Sequence, residues 1–320
     1  ADEPNGKDSL AGRKSKGGSK KMKRAMLIYN PSAGREEAKQ FKDRAIEVLT
    51  NLGFDVTVKE TQKQDDATHF AEMACTEKMD FLLAMGGDGT ISEVVNGLAE
   101  REDRPLFSFV PLGTVNDFAR ALGIPLEPDI AIEALKMTNT EQVDVGRIGD
   151  KYFVNVVAIG DIASSVADTP VEQKTRYGSM AYLMAGAKAI ISNEEVEMTI
   201  THDHGSWKGT SILVLVALTN SVGGFENLVK SAKIDDGKMH VFIIKQAGLA
   251  AIARMGTKVM LGTLGKDEGV ETFTTEKLRI ESNRPLFCNV DGDQGDCTPL
   301  DIHILPRHLE MLLPKKTESN

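Results

Sequence analysis

The chain is poor in cysteine and has no long apolar run, and each shortage excludes a class of protein. Its three cysteines, Cys75, Cys288 and Cys297, are too few and too scattered for a disulfide framework or a Cys/His zinc site. The longest apolar run, residues 212–218, is seven residues long, far below the roughly 20 that a membrane-spanning helix needs. We therefore expect no transmembrane segment, no secretion and a reducing, cytoplasmic location.

Basic residues are in the minority. The chain carries 38 Lys or Arg against 47 Asp or Glu, a net charge of -9. Residues 1–21 hold six of those bases, three acids, four glycines and a single large apolar residue, Leu10, so they cannot bury a core. We interpret them as a disordered leader or tag, with Met22 as the expected native start. The remaining 32 bases and 44 acids give the body a charge of -12, which argues against nucleic-acid binding.

The pattern of apolar residues changes near residue 140, and 320 residues exceed what one core usually serves. Over 22–139, near-continuous apolar strands alternate with amphipathic helices, which predicts an α/β domain with a parallel sheet covered on both faces. Over 140–305, short alternating strands and turns predict a β-rich, sandwich-like domain with helices near 177–191 and 249–261. We expect the segment 306–314 to return to the first domain.

The sharpest motif is Gly86-Gly87-Asp88-Gly89-Thr90, which lies between a buried strand and an amphipathic helix. Glycines let a backbone approach a ligand closely, and the first turn of the helix offers free amides to an anion. The motif therefore predicts phosphate binding. It matches neither the dinucleotide fingerprint nor a P-loop, which disfavours both of those enzyme classes. Taken by itself, it is also consistent with a tight turn in which Asp88 caps a helix.

Two further strand-to-helix junctions support a ligand site. Residues 30–34 (Asn-Pro-Ser-Ala-Gly) follow the first strand, and residues 111–120 follow the strand that ends at Val110. Carboxyl ends of parallel strands meet at one edge of a sheet, where ligands bind in such folds. Three polar, small-residue loops at that edge predict a nucleotide site.

The glycine motif, extended through Leu98, and the run from Pro111 to Arg120 resemble bacterial diacylglycerol kinases and related lipid kinases. These share the loop with sphingosine, ceramide and NAD kinases and with phosphofructokinases. The resemblance covers Lys23 to Pro314, with Ser92 standing where the family usually has Asn. It implies an NAD kinase- and phosphofructokinase-like ATP-binding domain and a β-sandwich-like domain for the lipid substrate.

The resemblance also implies roles for individual residues. Asp88 matches the acid that helps to organise the catalytic magnesium, and Asp117 and Asp144 match further members of an acidic network. Lys233, Asp236 and Lys238 match a structural magnesium site built from one carboxylate and two backbone carbonyls. The positions that match ATP-holding residues are Asn30, Pro31, Ser32, Ala33, Gly34, Thr61, Gly86, Gly87, Asp88, Gly89, Thr90, Glu93 and Thr114.

Two of these positions also have plainer interpretations. Asp235-Asp236-Gly237 before an apolar strand is an ordinary hairpin signal. Asp144 alternates with Val143 and Val145, as a solvent-facing strand residue would.

The last motif is Asn289-Val290-Asp291-Gly292-Asp293. The family has Glu at the final position, where it is taken to deprotonate the acceptor hydroxyl. Asp293 keeps the carboxylate that a general base needs but is shorter by one carbon–carbon bond, roughly 1.5 Å. We expect Asp293 to serve as the base.

The combined prediction is an ATP- and Mg²⁺-dependent kinase that phosphorylates a lipid hydroxyl, with diacylglycerol favoured by the resemblance. It would bind its substrate transiently at the membrane surface, and a homodimer is left open. Two alternatives remain at this stage. One is a kinase of a soluble acceptor such as NAD, and the other is a non-catalytic nucleotide- or lipid-binding regulator.

Overall fold

The computed structural model describes residues 22–33, 38–160, 195–221, 232–245 and 249–315. The expected leader over 1–21, Gly34 and the expected helix over 177–191 lie outside the described residues. The chain divides into two compact units, the first formed by residues 1–143 and 308–320 and the second by residues 144–307.

The first unit alternates strands and helices. Its elements are β1 (Lys23–Tyr29), α1 (Ala38–Asn51), β2 (Phe54–Glu60), α2 (Asp66–Thr76), β3 (Phe81–Gly86), α3 (Asp88–Leu98), β4 (Leu106–Pro111), α4 (Asp117–Leu122) and α5 (Pro128–Ala134). Strands β2, β1, β3 and β4 pair in that order and in parallel. The end of β16 (Leu300–Pro314) adds a further parallel pairing, with Met311 opposite Phe107.

Burial explains the apolar runs in β1 and β3. Every residue of β3 is buried, as are the last five residues of β1. Helix α1 buries Ala38, Ala45, Val48 and Leu49, the helically spaced side chains that the sequence indicated. The parallel α/β sheet predicted for this part of the chain is confirmed.

The second unit contains mainly strands. After β5 (Thr138–Ile148), which begins in the first unit, come β6 (Lys151–Phe153), β7 (Val156–Ile159), β8 (Val196–His202), β9 (Gly205–Ser211), β10 (Leu213–Ala217) and β11 (Met239–Ile244). Then follow α6 (Leu249–Met260), a 3₁₀ turn (Leu264–Lys266), β12 (Val270–Thr275), β13 (Lys277–Ser282), β14 (Phe287–Val290), β15 (Asp293–Cys297) and the start of β16.

Two antiparallel layers of strands enclose the core of this unit. One runs β16-β13-β8-β9 and the other β12-β11-β10-β7-β14-β15. Side chains from both layers, such as Ile280 and Val241, share one buried cluster. Ala251 and Met255 of α6 pack with Phe242 in a second cluster. The β-sandwich prediction is confirmed, although β9, β12 and β15 were not recognised in the sequence.

Candidate functional site

The glycine loop joins β3 to α3 in the first unit, as the motif predicted. Gly86 ends β3, Gly87 precedes the helix in an extended conformation, and Asp88 is the first helical residue. A Cβ atom on Gly86 would lie 2.5 Å from the Thr90 Cβ, and one on Gly87 would lie 3.2 Å from the Gly113 Cα. The glycines are therefore needed because the chain approaches neighbouring atoms closely here.

The loop after β4 packs directly on the glycine loop. The Leu112 amide donates to the Gly86 carbonyl at 2.8 Å, and a Cβ on Gly113 would lie 2.9 Å from the Gly87 Cα. Asn116 adopts a left-handed conformation with φ 55°. Its side chain accepts from the Gly113 amide at 2.9 Å and donates to the Gly113 carbonyl at 2.8 Å. Asn116 therefore fixes the shape of this loop.

Asp88 links the two loops. Its Oδ2 accepts a hydrogen bond of 2.8 Å from the Asn116 backbone amide. Burial raises the pKa of the Asp88 carboxyl to about 6, and the nearby charge of Asp117 acts in the same direction, while the Asn116 hydrogen bond opposes them. Asp88 and Asp117 are the first residues of α3 and α4. The structure thus brings two acids together where the sequence predicted an acidic network.

The loop after β1 joins the same sheet edge. The Asn30 amide donates to the Met85 carbonyl at 3.0 Å, and Asn30 Nδ2 donates to Thr90 Oγ1 at 3.3 Å. Asn30 Oδ1 accepts from the Ser32 amide at 2.9 Å, within a turn that also contains Pro31 and Ala33. This loop is therefore tied to the glycine loop through Asn30.

The remaining ATP-matching positions differ in their surroundings. The Thr61 amide donates to the Tyr29 carbonyl at 3.0 Å, so Thr61 lies beside the first loop. Gly89 and Thr114 are exposed. Glu93 Oε2 accepts from the Ala67 amide at 3.1 Å, so its carboxylate satisfies an amide in the first turn of α2. Its predicted contact with ATP stays a prediction.

This part of the first unit is suited to a phosphate–magnesium ligand. The first turn of α3 offers amides to phosphate oxygens. Asp88 and Asp117 offer carboxylate oxygens, and magnesium is commonly bound by one or two carboxylates together with substrate phosphates. Burial, helped by the charge of Asp117, raises the pKa of Asp88, and a bound cation would favour its charged form. These residues fit the magnesium that the resemblance implies.

The loop containing Asp236 in the second unit has a different character. Asp236 accepts hydrogen bonds from the Lys233 amide at 3.2 Å, the Lys238 amide at 3.0 Å and the His240 ring at 3.1 Å. Although burial opposes it, the hydrogen bond from His240 and those from the two amides hold the pKa of Asp236 below its ordinary value. Nitrogen donors therefore already satisfy this carboxylate.

The metal site implied at Asp236 rests on one carboxylate and two backbone carbonyls. Within the described residues, no group of three or more His, Cys, Asp or Glu side chains is arranged to hold an ion. A structural magnesium at Lys233, Asp236 and Lys238 would have to compete with the hydrogen bonds that close the loop. That metal site stays a prediction of the resemblance.

Asp144 is buried, with 4% of its surface exposed, so the solvent-facing interpretation is wrong. Its two oxygens accept the Gly237 and Arg307 amides, each at 2.7 Å. Burial raises its pKa, and the charges of Asp236 and Asp235 add to that shift. In the second unit, Asp144 therefore belongs with the Asp236 loop, a neighbour that its sequence position did not reveal.

Asp293 lies immediately after a two-residue hairpin turn. Strands β14 and β15 pair with Val290 opposite Asp293, and the turn residues Asp291 and Gly292 have φ values of 49° and 103°. Positive φ at both positions is the signature of a type I′ turn. Asp293 is exposed, so its carboxylate is available to a substrate.

Two family models match the chain in tandem. Residues 24–148 match the diacylglycerol kinase catalytic domain, and residues 155–313 match the YegS C-terminal NAD kinase beta sandwich-like domain. The diacylglycerol kinase of Bacillus subtilis (strain 168) is 36% identical over 297 residues, which cover 92% of this chain and 98% of that protein. The chain belongs to the diacylglycerol kinase family.

Further comparisons agree with this kinase family. The diacylglycerol kinase of Staphylococcus epidermidis (strain ATCC 35984) is 37% identical over 293 residues, covering 92% of this chain and 93% of its own. A crystal structure of a diacylglycerol kinase from Bacillus anthracis str. Sterne superposes with a TM-score of 0.77 at 27% identity, covering 92% of this chain and 98% of that one. The predicted family and its kinase activity are confirmed.

The two family models divide the predicted site residues between them. The catalytic-domain match contains the glycine loop and Asp144, and the sandwich-domain match contains Asp236 and Asp293. Within the described ranges, no helix is both long and apolar enough to cross a membrane.

Sequence reasoning did not select Asn116, His240 or Asp291. The signals available for the first and third were the Asn-Asp pair at the start of α4 and the Asp-Gly pair of a two-residue turn.

Proposed function

We propose that this protein transfers the γ-phosphoryl group of ATP to the hydroxyl of diacylglycerol at a membrane surface, yielding phosphatidic acid and ADP. The observation that carries the proposal is Asp88, held by the Asn116 amide at the start of α3 next to Gly86 and Gly87, where a Cβ would crowd neighbouring atoms. Family membership supports the choice of acceptor, since the relatives are named for that lipid.

The first unit would bind the nucleotide. The amides of the glycine loop and of α3 face the position suited to phosphates, and Asn30 and Thr90 border it. Asp88 and Asp117 would hold magnesium, which supplies charge neutralisation during phosphoryl transfer. Because such transfer depends mainly on positioning and electrostatics, loops and acids suffice without a covalent nucleophile.

The second unit would supply the base. Asp293 takes the proton from the lipid hydroxyl as that oxygen forms its bond to the γ-phosphorus, and the bond from phosphorus to the β,γ-bridging oxygen breaks, so that ADP leaves with its electron pair. Exposure of Asp293 at the hairpin suits contact with a substrate that remains in a membrane. An acidic body is repelled by anionic lipid, so the association should be transient.

The test uses radiolabelled ATP with Mg²⁺ and a panel containing diacylglycerol, other lipids in mixed micelles, and NAD, with products separated by chromatography. We expect label in phosphatidic acid. Label in the NAD product alone would indicate a soluble-acceptor kinase, and no labelled product with any acceptor would indicate a non-catalytic regulator.

Asp293 is tested in the same assay. Asp293→Asn should lower kcat by about 10²-fold or more with an almost unchanged KM for ATP, the usual scale of general-base loss. Asp293→Glu restores the family residue and should retain or raise activity. If Asp293→Asn turns over lipid as fast as the wild type, the base lies elsewhere.

A further inference from the structure

The side chain of Asp291 binds the hairpin turn that precedes Asp293 to the body of the second unit. The Asp291 carboxylate accepts three backbone hydrogen bonds, from the Val154 amide at 2.7 Å, the Asn155 amide at 3.0 Å and the Val156 amide at 2.8 Å. In return, the Asp291 amide donates to the Val156 carbonyl at 3.0 Å. Hydrogen bonds from amides to a carboxylate are stronger than those between neutral groups.

These amides lie at a break in the strands. Val154 and Asn155 fall between β6 and β7, and both residues are buried. A buried amide without an acceptor costs about 1–3 kcal/mol, so an acceptor from outside the strands is needed. Asp291 provides it from a position 135 to 137 residues further along the chain.

The backbone of the turn depends on the same residue. Asp291 has φ 49°, a left-handed conformation that Asp and Asn tolerate better than most side chains do. The Gly292 amide donates to Asn289 Oδ1 at 2.9 Å, which closes the turn from the other side. The hairpin tip is thus held both in its conformation and in its location.

We infer that Asp291 is a positioning residue for phosphoryl transfer, and that it acts by fixing the place from which Asp293 reaches the acceptor hydroxyl. This inference rests on the proposed function, because it assigns the reacting carboxylate to Asp293. Asp291 and Asp293 have different roles. Both oxygens of Asp291 accept amides, whereas Asp293 is exposed at the first position of β15.

The hydrogen bonds of Asp291 set the size of the fall in kcat that we expect when it is replaced. A misplacement of about 1 Å in a catalytic group can cost about 10²-fold in rate. Asp291→Asn replaces one acceptor oxygen by an NH₂ group, which cannot accept an amide, so at least one of the three bonds is lost. We expect kcat to fall by about 10- to 100-fold, with the KM for ATP changed by less than about threefold.

Asp203→Ala is the control for loss of stability alone. Asp203 Oδ2 also accepts three hydrogen bonds in the second unit, from Thr275 Oγ1 at 2.9 Å and from the Glu276 and Lys277 amides at 2.7 and 3.0 Å. It lies in the turn between β8 and β9, apart from the motif that contains Asp293. This variant should lose stability as Asp291→Asn does but keep the wild-type kcat.

A double-mutant cycle decides whether Asp291 acts through Asp293. In the Asp293→Asn background, Asp291→Asn should cause no further fall in kcat, since there is no base left to position. Equal losses in both backgrounds would overturn the inference, as would a wild-type kcat in Asp291→Asn alone while Asp293→Asn is impaired. Full activity of Asp293→Asn would overturn the base assignment and this inference together.

A second variant covers the case in which Asp291→Asn does not fold, as judged by circular dichroism. Asp291→Glu keeps the charge and the acceptors but displaces the carboxylate by roughly 1.5 Å. It should fold and lower kcat several-fold in the wild-type background and not at all with Asn at position 293. Unchanged kcat in this folded variant would overturn the inference.

Discussion

Asp88→Asn should abolish activity while making the protein more stable. The carboxylate is unfavourable where it stands, because burial and the charge of Asp117 raise its pKa to about 6 from 3.8. A shift of about two units corresponds to about 3 kcal/mol against the charged form. Asn is neutral and of similar size, and its side-chain oxygen can still accept the Asn116 amide. We expect a gain of about 1–3 kcal/mol above pH 6, or a few degrees in Tm.

The dependence on pH has a definite sign. The folded protein keeps the Asp88 proton up to about pH 6, whereas the unfolded chain releases it near pH 3.8. Between these values the folded state binds more protons, so wild-type stability falls as pH rises. The difference in Tm between Asp88→Asn and wild type should therefore be small at pH 4 and reach its full size by pH 7.

The assay is thermal unfolding of both proteins across this pH range in EDTA, without nucleotide. Asp66→Asn is the control, since Asp66 is also the first residue of a helix in the first unit. There the Gln62 amide, together with that of Lys63, lowers the carboxyl pKa, so losing the charge should not raise Tm at pH 7. If Asp88→Asn lowers Tm at pH 7 as well, burial does not dominate at this carboxylate and the reasoning fails.

Two further predictions concern the packing of the loops. Gly113→Ala should unfold more easily and lose ATP affinity, because the new Cβ would lie 2.9 Å from the Gly87 Cα. Gly256→Ala should keep or slightly raise Tm in the same melts, because among the described residues no atom outside its own stretch of helix lies within 4 Å of the new Cβ. Equal behaviour of both variants would contradict the packing argument. Asp236→Ala should lower Tm without added metal, because three hydrogen bonds are lost. A magnesium-dependent rise in Tm that only the wild type shows would instead support the metal that the resemblance implies.

The local pattern of apolar and polar residues was enough to predict most of the helices and strands. All of β3 and the last five residues of β1 are apolar and buried, the pattern expected of parallel strands with both faces covered. Strand β15, Asp-Gln-Gly-Asp-Cys, was missed because it carries no apolar alternation and is largely exposed. The hairpin that presents Asp293 was therefore not visible in the chain, although each of its residues was.

The sequence by itself determined which functional residues are present and the local backbone conformation of each. The glycines and the position of Asp88 at the start of a helix follow from short-range rules of backbone conformation. The tertiary structure decided which group meets which. Asn116 reaches Asp88 across 28 residues, Gly237 reaches Asp144 across 93, and Val154 reaches Asp291 across 137. Which residues meet at such separations depends on the order of the strands in the sheet, and a local sequence pattern does not specify that order.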